Sequence, residues 1–304
     1  MSTSNLGSTN SQTIQSIIAL IRPNQWIKNI FVFTGVIFGK ALDSPKILLL
    51  ALFAAIAFAL VSSAVYIFND LVDCKNDQLH PKKKSRPIAS GAITPQAGAL
   101  LSIIFAFTGL VLGFYLSWQI LFILVAYILL NILYSLKLKH IVIIDVFCIS
   151  CGFMLRILAG TVGIGIAPSK WLLLCGLMIT LFLGFTKRRA ELIAFDNDKQ
   201  EQRKVLQDYG AIFLDEIIAI CATSVILGYS LYTMSNETIE IHQTDDLLYT
   251  VPFVIYAIFR YIYILHHGNS AEDPSNDLFK DRHIIISVLG WMIVSIYILS
   301  NKGL

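Results

Sequence analysis

Long apolar segments separated by polar connections make up most of the chain. A helix needs about 20 apolar residues to cross a hydrocarbon core roughly 30 Å thick, and about 17 are tolerated. Windows of that length predict nine transmembrane helices, at approximately 27–43, 46–68, 97–116, 119–136, 141–162, 170–186, 211–234, 247–265 and 283–300. Lys28, Asn29 and Lys40 interrupt the first of these windows. The predicted fold class is therefore all-α, a polytopic membrane bundle of about nine helices.

The composition supports a membrane environment. Of the 304 residues, 56% are hydrophobic and 14% are charged, and the mean hydropathy is +0.70. An average soluble protein is roughly 45–50% apolar and about 25% charged, so a soluble globule is excluded. The net charge of +3 is too small to favour a nucleic-acid partner. Residues 1–20 are predicted to form a polar N-terminal tail, and residues 21–304 a single transmembrane domain.

The distribution of lysine and arginine predicts the orientation. The connections after the second, fourth, sixth and eighth spans hold most of the basic residues, whereas the loop at 235–246 holds four acids and no base. Because basic loops stay on the cytoplasmic side, the N-terminus is expected inside and the C-terminus outside. The predicted location is the cell, or inner, membrane.

The most informative polar segment follows the second predicted span and contains Asn69, Asp70, Asp73 and Asp77. At about 100° per residue, the three carboxylates fall within roughly 60° of one another on one helix face. Three like charges so close repel one another unless a cation lies among them, and hard oxygen ligands favour Mg²⁺. The pattern therefore predicts a magnesium site on the cytoplasmic side, with all four side chains as candidate ligands.

A basic run, His80–Pro87, follows within ten residues and includes Lys83 and Arg86. Magnesium held by carboxylates, next to lysine and arginine, is the combination that a diphosphate requires. The alternative is that the acids form a solvated helix end and the bases only orient the span. Positive-inside signals need no aspartates, so the acidic array favours the first interpretation. His80 is expected to cap or pack rather than to ligate a metal.

Charged residues also fall inside predicted spans. Lys28 and Asn29 enter the first span, where the ammonium group could reach the interface or point into the bundle. Asp145 and Arg156 lie eleven residues apart in the fifth span, which places them on one helix face but about 16 Å apart, too far to pair with each other. Such residues are candidates for a functional cavity or for interhelical ion pairs.

Two further groups lie at cytoplasmic span ends. Tyr134 and Lys137 share a face at the end of the fourth span. Lys187, Arg188 and Glu191 lie where the sixth span emerges, and Glu191 can meet either base at i+4 or i+3. Orientation of the span explains Lys137, and a local salt bridge explains Glu191, as well as a substrate site does.

Several of these segments together resemble one known family. Read as N-D-x-x-D-x-x-x-D-x-x-H-P-x-K-x-x-R-P, the stretch that begins at Asn69 is similar to the first aspartate-rich motif of the UbiA superfamily of intramembrane prenyltransferases, and more narrowly to its decaprenyl-phosphate phosphoribosyltransferase branch. The other matching segments are 22–29, 134–140, 145–160, 187–191 and 259–261. The resemblance covers almost the whole chain after about residue 20.

The resemblance implies a nine-span bundle whose polar cavity opens to the cytoplasm. It also implies Mg²⁺-dependent transfer of 5-phosphoribosyl from phosphoribosyl diphosphate to a decaprenyl-type polyprenyl phosphate, with release of diphosphate. Asp73 and Asp77 would be the catalytic residues and, with Asn69 or Asp70, would hold the metal. The implied substrate-binding residues are Lys28, Asn29, Lys83, Arg86, Tyr134, Lys137, Arg156, Lys187, Arg188 and Glu191.

One departure from the superfamily bears on the substrate. Members that prenylate aromatic rings carry a second aspartate-rich array after span six, and in this chain only Glu191 holds an acidic position there, with Phe195 at the next. One carboxylate array with several extra bases suits a metal-bound diphosphate plus further phosphates. Two alternatives remain: an aromatic-ring prenyltransferase of the same superfamily, and a transporter. Membrane lipids are the expected surroundings, and a homo-oligomer is left open.

Overall fold

The structure, a computed structural model, describes residues 14–39, 44–81, 83–197, 208–267 and 281–300, with only the backbone of 194–197. The described residues contain helices and turns and no strand. Within these residues, eight helical segments are long and apolar enough to cross a membrane, and two of them, Ile144–Ile164 and Asp246–His267, include an adjoining 3-10 turn. We number them α1 Pro45–Leu79, α2 Pro95–Leu116, α3 Trp118–Leu136, α4 Ile144–Ala159, α5 Lys170–Asn197, α6 Ala211–Met234, α7 Val251–His267 and α8 Arg282–Ser300.

The all-α membrane fold is confirmed, and eight of the nine predicted spans coincide with these helices. Local capping explains several helix starts. Proline occupies the first turn of α1 and α2, where its missing N–H breaks no helical bond. The side chains of Thr94 and Ser117 accept hydrogen bonds from the backbone N–H groups of Ala97 and Ile120, so they cap α2 and α3.

The predicted span at 27–43 has a different structure, and the count of nine is not confirmed. Its described part is a 3-10 helix, Pro23–Phe33, followed by the short α-helix Thr34–Phe38, while residues 40–43 lie outside the described residues. The side chain of Asn29 is buried and accepts a hydrogen bond from Arg156.

The chain divides into two compact units. The first comprises the chain up to Lys139 together with Leu155–Pro168, and the second comprises His140–Met154 and Ser169 onward. The core of the first unit is built from α1, α3 and the segment 32–36; its buried residues include Val32, Val36, Phe58, Val61, Ile120, Leu124 and Ala159. The core of the second unit is built from α5, α6 and α7; its buried residues include Phe182, Phe185, Leu214, Ile218, Val225, Ile258 and Tyr261. The single domain expected over 21–304 stays a prediction.

Two glycines let the N-terminal segment of the first unit pack backbone to backbone. A Cβ atom on Gly160 would lie 1.6 Å from the carbonyl oxygen of Val32, and one on Gly35 would lie 2.0 Å from the carbonyl oxygen of Gly160. No side chain fits at either position without moving the backbone. This contact holds the segment that carries Asn29 next to the end of α4 that carries Arg156.

We expect Gly160→Ala to destabilise the first unit by about 3 kcal/mol, because the added methyl group must displace backbone rather than a flexible side chain. Thermal unfolding in detergent measures this. Gly210→Ala is the matched control, since a Cβ atom there would have only Phe213 Cβ near it, at 4.0 Å, and the residue has an extended backbone. Equal melting temperatures for the two variants would contradict the backbone contact.

Candidate active site

The acidic residues predicted as a site lie on the last turns of α1. This helix continues without a break from its apolar part to Leu79, so Asp70, Asp73 and Asp77 project from one rigid element. His80 ends the helix in an extended conformation, and its ring Nδ1 accepts a hydrogen bond from the backbone N–H of Lys83 at 3.3 Å. The capping role predicted for His80 is confirmed.

One arginine bridges two of the carboxylates. Arg86 Nη1 donates to Asp70 Oδ1 at 3.1 Å and to Asp77 Oδ2 at 2.6 Å. Because Asp70 and Asp77 are seven residues apart, they lie on the same face two turns apart, and one guanidinium group can reach both. Both carboxylates are buried, whereas the side chain of Arg86 is 26% exposed.

A short turn and an apolar contact bring Arg86 back to the helix. Residues Lys83–Ser85 form a 3-10 turn, which is closed by the Arg86 N–H donating to the carbonyl of Lys83 at 2.9 Å. Just beyond, Ile88 is buried in a cluster with Leu20, Ile67 and Ile93. The loop is therefore fixed on both sides of its arginine.

Asp70 receives a second arginine from the N-terminal segment. Arg22 Nη2 donates to Asp70 Oδ1 at 2.6 Å, and the Arg22 guanidinium lies 5.5 Å from the centre of the Tyr66 ring. The backbone of Arg22 is left-handed, with φ 56° and ψ 61°, directly before Pro23. Nearby, Ser63 Oγ accepts from Trp26 Nε1 and can donate to the Ile21 carbonyl, both at 3.0 Å, which ties this segment to α1.

The remaining polar residues on this face of α1 have partners near the end of α3. Lys139 Nζ donates to Asp73 Oδ1 at 2.6 Å, and Ser135 Oγ donates to Asn69 Oδ1 at 3.0 Å. The Asp73 side chain is 22% exposed, which makes it more accessible than the other two carboxylates. Three carboxylates on α1 are thus matched by the cations Arg22, Arg86 and Lys139.

A second polar group in the first unit surrounds Arg156. Its Nε donates to Asn29 Oδ1 at 2.9 Å, and its Nη2 donates to the Tyr127 hydroxyl at 3.0 Å. The guanidinium also lies over the rings of Tyr127 and Phe58, at 4.8 and 5.4 Å from their centres. All of these groups are enclosed, and the amide nitrogen of Asn29 has no hydrogen-bond partner.

In the second unit, Asp145 is the centre of a buried network. Arg188 Nε donates to Asp145 Oδ2 at 2.6 Å, and Arg188 Nη1 also bonds to Glu191 Oε2, which confirms the salt bridge that the spacing allowed. The Tyr209 hydroxyl donates to Asp145 Oδ1 at 2.7 Å and accepts from the N–H of Ile143 at 2.6 Å. Burial, together with the hydrogen bond to Asp145, raises the pKa of the Tyr209 phenol.

The other predicted substrate-binding residues differ in exposure. Lys137 and Lys187 are exposed, while Lys28, Lys83 and Tyr134 are half-buried. As their spacing predicts, Asp145 and Arg156 bond to different partners.

Sequence reasoning missed Arg22, Lys139, Tyr127, Ser135 and Tyr209 as members of these networks. Lys139 lies two residues from the predicted Lys137, and spacing alone does not say which of the two faces α1. Arg22 lies in the segment 22–29, which matches the resembled family. Its position directly before Pro23 was the signal that could have singled it out.

The oxygen ligands on the last turns of α1 are of the kind that binds a magnesium ion. Carboxylate and amide oxygens are the ligand type that Mg²⁺ prefers, and Asn69, Asp73 and Asp77 lie on successive turns of one helix. Among the side chains that the structure describes, no three His, Cys, Asp or Glu residues are already grouped around one point. The ligand atoms are therefore of the type that magnesium prefers, and the carboxylates among them are paired with cations.

Comparisons with known proteins agree with the resemblance. A sequence model described as the UbiA prenyltransferase family matches residues 29–280. The decaprenyl-phosphate phosphoribosyltransferase of Mycolicibacterium smegmatis is 31% identical over 290 residues, which cover 92% of this chain and 91% of that protein. The protein of the same name from Corynebacterium glutamicum is 29% identical over 294 residues, covering 93% and 87%.

Solved structures share the fold at lower identity. The structure of a UbiA homolog from Archaeoglobus fulgidus bound to GPP and Mg²⁺ aligns with a TM-score of 0.70 at 18% identity, covering 94% of this chain and 99% of that one. A structure of digeranylgeranylglyceryl phosphate synthase aligns with a TM-score of 0.65 at 22% identity, covering 93% and 98%.

We expect Tyr209→Phe to lower the free energy of unfolding by about 1–2 kcal/mol, because it removes one hydrogen-bond partner from the buried Asp145 carboxylate and one from the Ile143 N–H. Ile143 needs that support, since it is β-branched and has φ 70°. Thermal unfolding in detergent checks this, with the exposed Tyr297→Phe as control. A melting temperature equal to that of the control would show that the hydroxyl group contributes nothing.

Proposed function

The chain belongs to the UbiA prenyltransferase family, and we propose that it transfers a 5-phosphoribosyl group from phosphoribosyl diphosphate to the phosphate of a membrane polyprenol. Diphosphate is the second product. The names and extents of the relatives at about 30% identity support this substrate pair. The chain is an integral membrane protein, and we place its site at the cytoplasmic face because the basic loops lie beside it.

One observation carries the proposal: the carboxylates Asp70, Asp73 and Asp77 are matched by the cations Arg22, Arg86 and Lys139. The acids offer oxygen ligands to a divalent ion, and the bases offer N–H donors to phosphate oxygens. A site that holds both kinds of group, in mutual contact at the end of a membrane helix, suits a ligand that also carries both signs. A metal diphosphate is such a ligand.

Asn69, Asp73 and Asp77 are the residues that would hold the magnesium ion, and Asp73 is the most exposed of the acids. Bound there, the metal would neutralise charge on the departing diphosphate. Arg22, Arg86 and Lys139 would also neutralise charge on the diphosphate. Guanidinium groups suit this role because they bind phosphate through paired N–H groups. Lys83, half-buried in the adjoining turn, is a further candidate on this side.

The reaction needs no general base from the protein. An oxygen of the polyprenyl phosphate forms a bond to C1 of the ribose while the bond from C1 to the diphosphate oxygen breaks, and the diphosphate leaves with the electron pair. The acceptor is already an anion and a competent nucleophile. Positioning the two reactants and stabilising the leaving group therefore supply most of the rate acceleration.

The acceptor phosphate is proposed to meet the other bases identified in the sequence. Lys28 and Lys137 are the cations of this group in the first unit, and Tyr134 adds a hydroxyl group. Lys187, in the second unit, stays a candidate for binding a phosphate of the donor. Arg156 and Asn29 form an enclosed polar wall instead, because the guanidinium already bonds to Asn29 and Tyr127. Arg188 and Glu191 bond to each other, and Arg188 also bonds to the buried Asp145.

This last network favours phosphoribosyl transfer over aromatic prenylation. Glu191 is the acid at the position where aromatic prenyltransferases carry a second aspartate-rich array, and in this chain Arg188 binds it. Since Phe195 stands at the next position of that array, a single acid there does not make a second carboxylate array. Among the side chains that the structure describes, the acidic array on α1 is the one that has bases bound along it.

Transfer is tested by incubating the purified protein with Mg²⁺, polyprenyl phosphates of several lengths and labelled phosphoribosyl diphosphate, followed by mass spectrometry of the lipid extract. We expect a lipid heavier than the acceptor by one phosphoribosyl group. A parallel arm supplies a prenyl diphosphate and an aromatic acid. Consumption of the prenyl donor alone would assign the chain to the aromatic branch, and uptake of solute into proteoliposomes without a covalent product would favour a transporter.

We expect Asp73→Asn to lower turnover roughly 100- to 1,000-fold, because it removes a charged ligand from the site that stabilises the leaving group. The product assay above measures this, and thermal unfolding verifies that the variant is folded. Asp245→Asn is the matched control, since Asp245 is an exposed acid in the loop at 235–246. Full activity of Asp73→Asn would refute its assignment as a ligand.

A further inference from the structure

The three acids on α1 differ in their surroundings. The Asp70 side chain is 1% exposed, whereas that of Asp73 is 22% exposed. Magnesium usually keeps several of its water ligands and reaches a protein through one or two accessible carboxylates. Asp73 meets that requirement better than Asp70 does. Asp77 is also buried, with its side chain 5% exposed, but it pairs with one arginine where Asp70 pairs with two.

Asp70 is also committed to two cations through a single oxygen. Its Oδ1 accepts from Arg22 at 2.6 Å and from Arg86 at 3.1 Å. These arginines come from positions 48 residues before and 16 residues after it, so the carboxylate joins two distant segments of the first unit. Both arginine side chains are 26% exposed. The Asp70 carboxylate is therefore the buried part of this group of side chains, and the two guanidinium groups are the accessible part.

The backbone conformation of Arg22 is a second sign that this arginine is held in one position. A left-handed conformation is unfavourable for an arginine, and such strain persists where surrounding contacts fix it. The Arg22 backbone N–H donates to the Ile18 carbonyl at 3.2 Å, and the Arg22 carbonyl accepts from the Gln25 N–H at 2.9 Å. The Arg22 side chain bonds to Asp70 and lies over the Tyr66 ring. The chain thus uses a strained residue to place one cation on this carboxylate.

We propose that Asp70 is a positioning residue that orients Arg22 and Arg86 toward the diphosphate, and that it is not a ligand of the metal. The inference rests on the proposed function in that a diphosphate is the ligand. It replaces the sequence-based assignment of Asp70 as a possible magnesium ligand and adds Arg22 to the groups that bind the donor. Asp70 acts through the arginines without touching the substrate.

The test measures metal binding and diphosphate binding separately on the purified full chain. Mn²⁺ serves as the probe for the metal site, followed by electron paramagnetic resonance, and inorganic diphosphate serves as the anion probe, followed by calorimetry. For Asp70→Asn we expect Mn²⁺ affinity within twofold of the unmodified protein and diphosphate affinity at least tenfold weaker. For Asp73→Asn we expect Mn²⁺ affinity to fall at least tenfold.

A double-variant background separates positioning from a general loss of structure. If Asp70 acts through its two partners, Asp70→Asn should change diphosphate affinity less than twofold when Arg22→Ala and Arg86→Ala are already present. Arg22→Ala alone should weaken diphosphate and leave Mn²⁺ unaffected, which covers the case in which Asp70→Asn does not fold. Asp281→Asn is the matched control, because it breaks an Asp–Arg pair in the second unit.

Loss of Mn²⁺ binding in Asp70→Asn, to the extent seen in Asp73→Asn, would make Asp70 a ligand and overturn the inference. Unchanged diphosphate affinity in both Asp70→Asn and Arg22→Ala would overturn it as well. Neither result depends on which group is transferred, since diphosphate is common to phosphoribosyl and prenyl donors. A failure of phosphoribosyl transfer in the product assay would instead count against the proposed function.

Discussion

A carboxylate at the end of a membrane helix must be compensated, because removing it from water costs several kcal/mol unless charged partners and hydrogen bonds replace the lost hydration. The end of α1 carries three such groups on one face. Arg86 spans two of them, Arg22 adds a second bond to the more buried one, and Lys139 binds the third. The N-terminal segment, the loop after α1 and the end of α3 are each drawn to this face by that requirement.

The same requirement organises the other buried charges. In the second unit, Asp145 is compensated by Arg188 and by the Tyr209 hydroxyl, and Arg188 in turn holds Glu191. In the first unit, the enclosed Arg156 is placed between two aromatic rings and bonds to Asn29 and Tyr127. Ionisable residues inside membrane segments are rare and mark functional regions. Asp145 and Arg156 each belong to a network built by side chains from several segments.

Sequence predicted well those features that depend on neighbouring residues. Hydrophobic length located eight helices, and helical spacing placed Asp70, Asp73 and Asp77 on one face. At 27–43 it did not give the local structure, because the described part is a 3-10 helix and a short α-helix where apolar character predicted a regular span. There the bond from Arg156 to Asn29 and the close approach at Gly160 come from residues more than 100 positions away.

The partners of the acids could not be predicted either, because they also come from distant positions in the chain. The residues that bind them lie 9 to 66 positions away, and only Arg86 was selected from the sequence. Lys137 and Lys139 are equally good candidates for binding Asp73 when only residue type is considered. The path of the chain after α3 decides that Lys139 binds it. Local pattern identifies which groups need compensation, and the tertiary fold decides which groups supply it.

The compensation has a consequence for how such a site can bind its ligand. A lone cation would have to displace Lys139 or Arg86 from the acids and leave those bases without partners, and a lone anion would do the reverse. A ligand that brings a divalent ion and a diphosphate together can give the carboxylates and the bases new partners at once. The exchange leaves few charges unpaired beside a low-dielectric region, where an unpaired charge is most unfavourable. The mutual pairing of acids and bases therefore makes metal and diphosphate bind more tightly together than either binds alone.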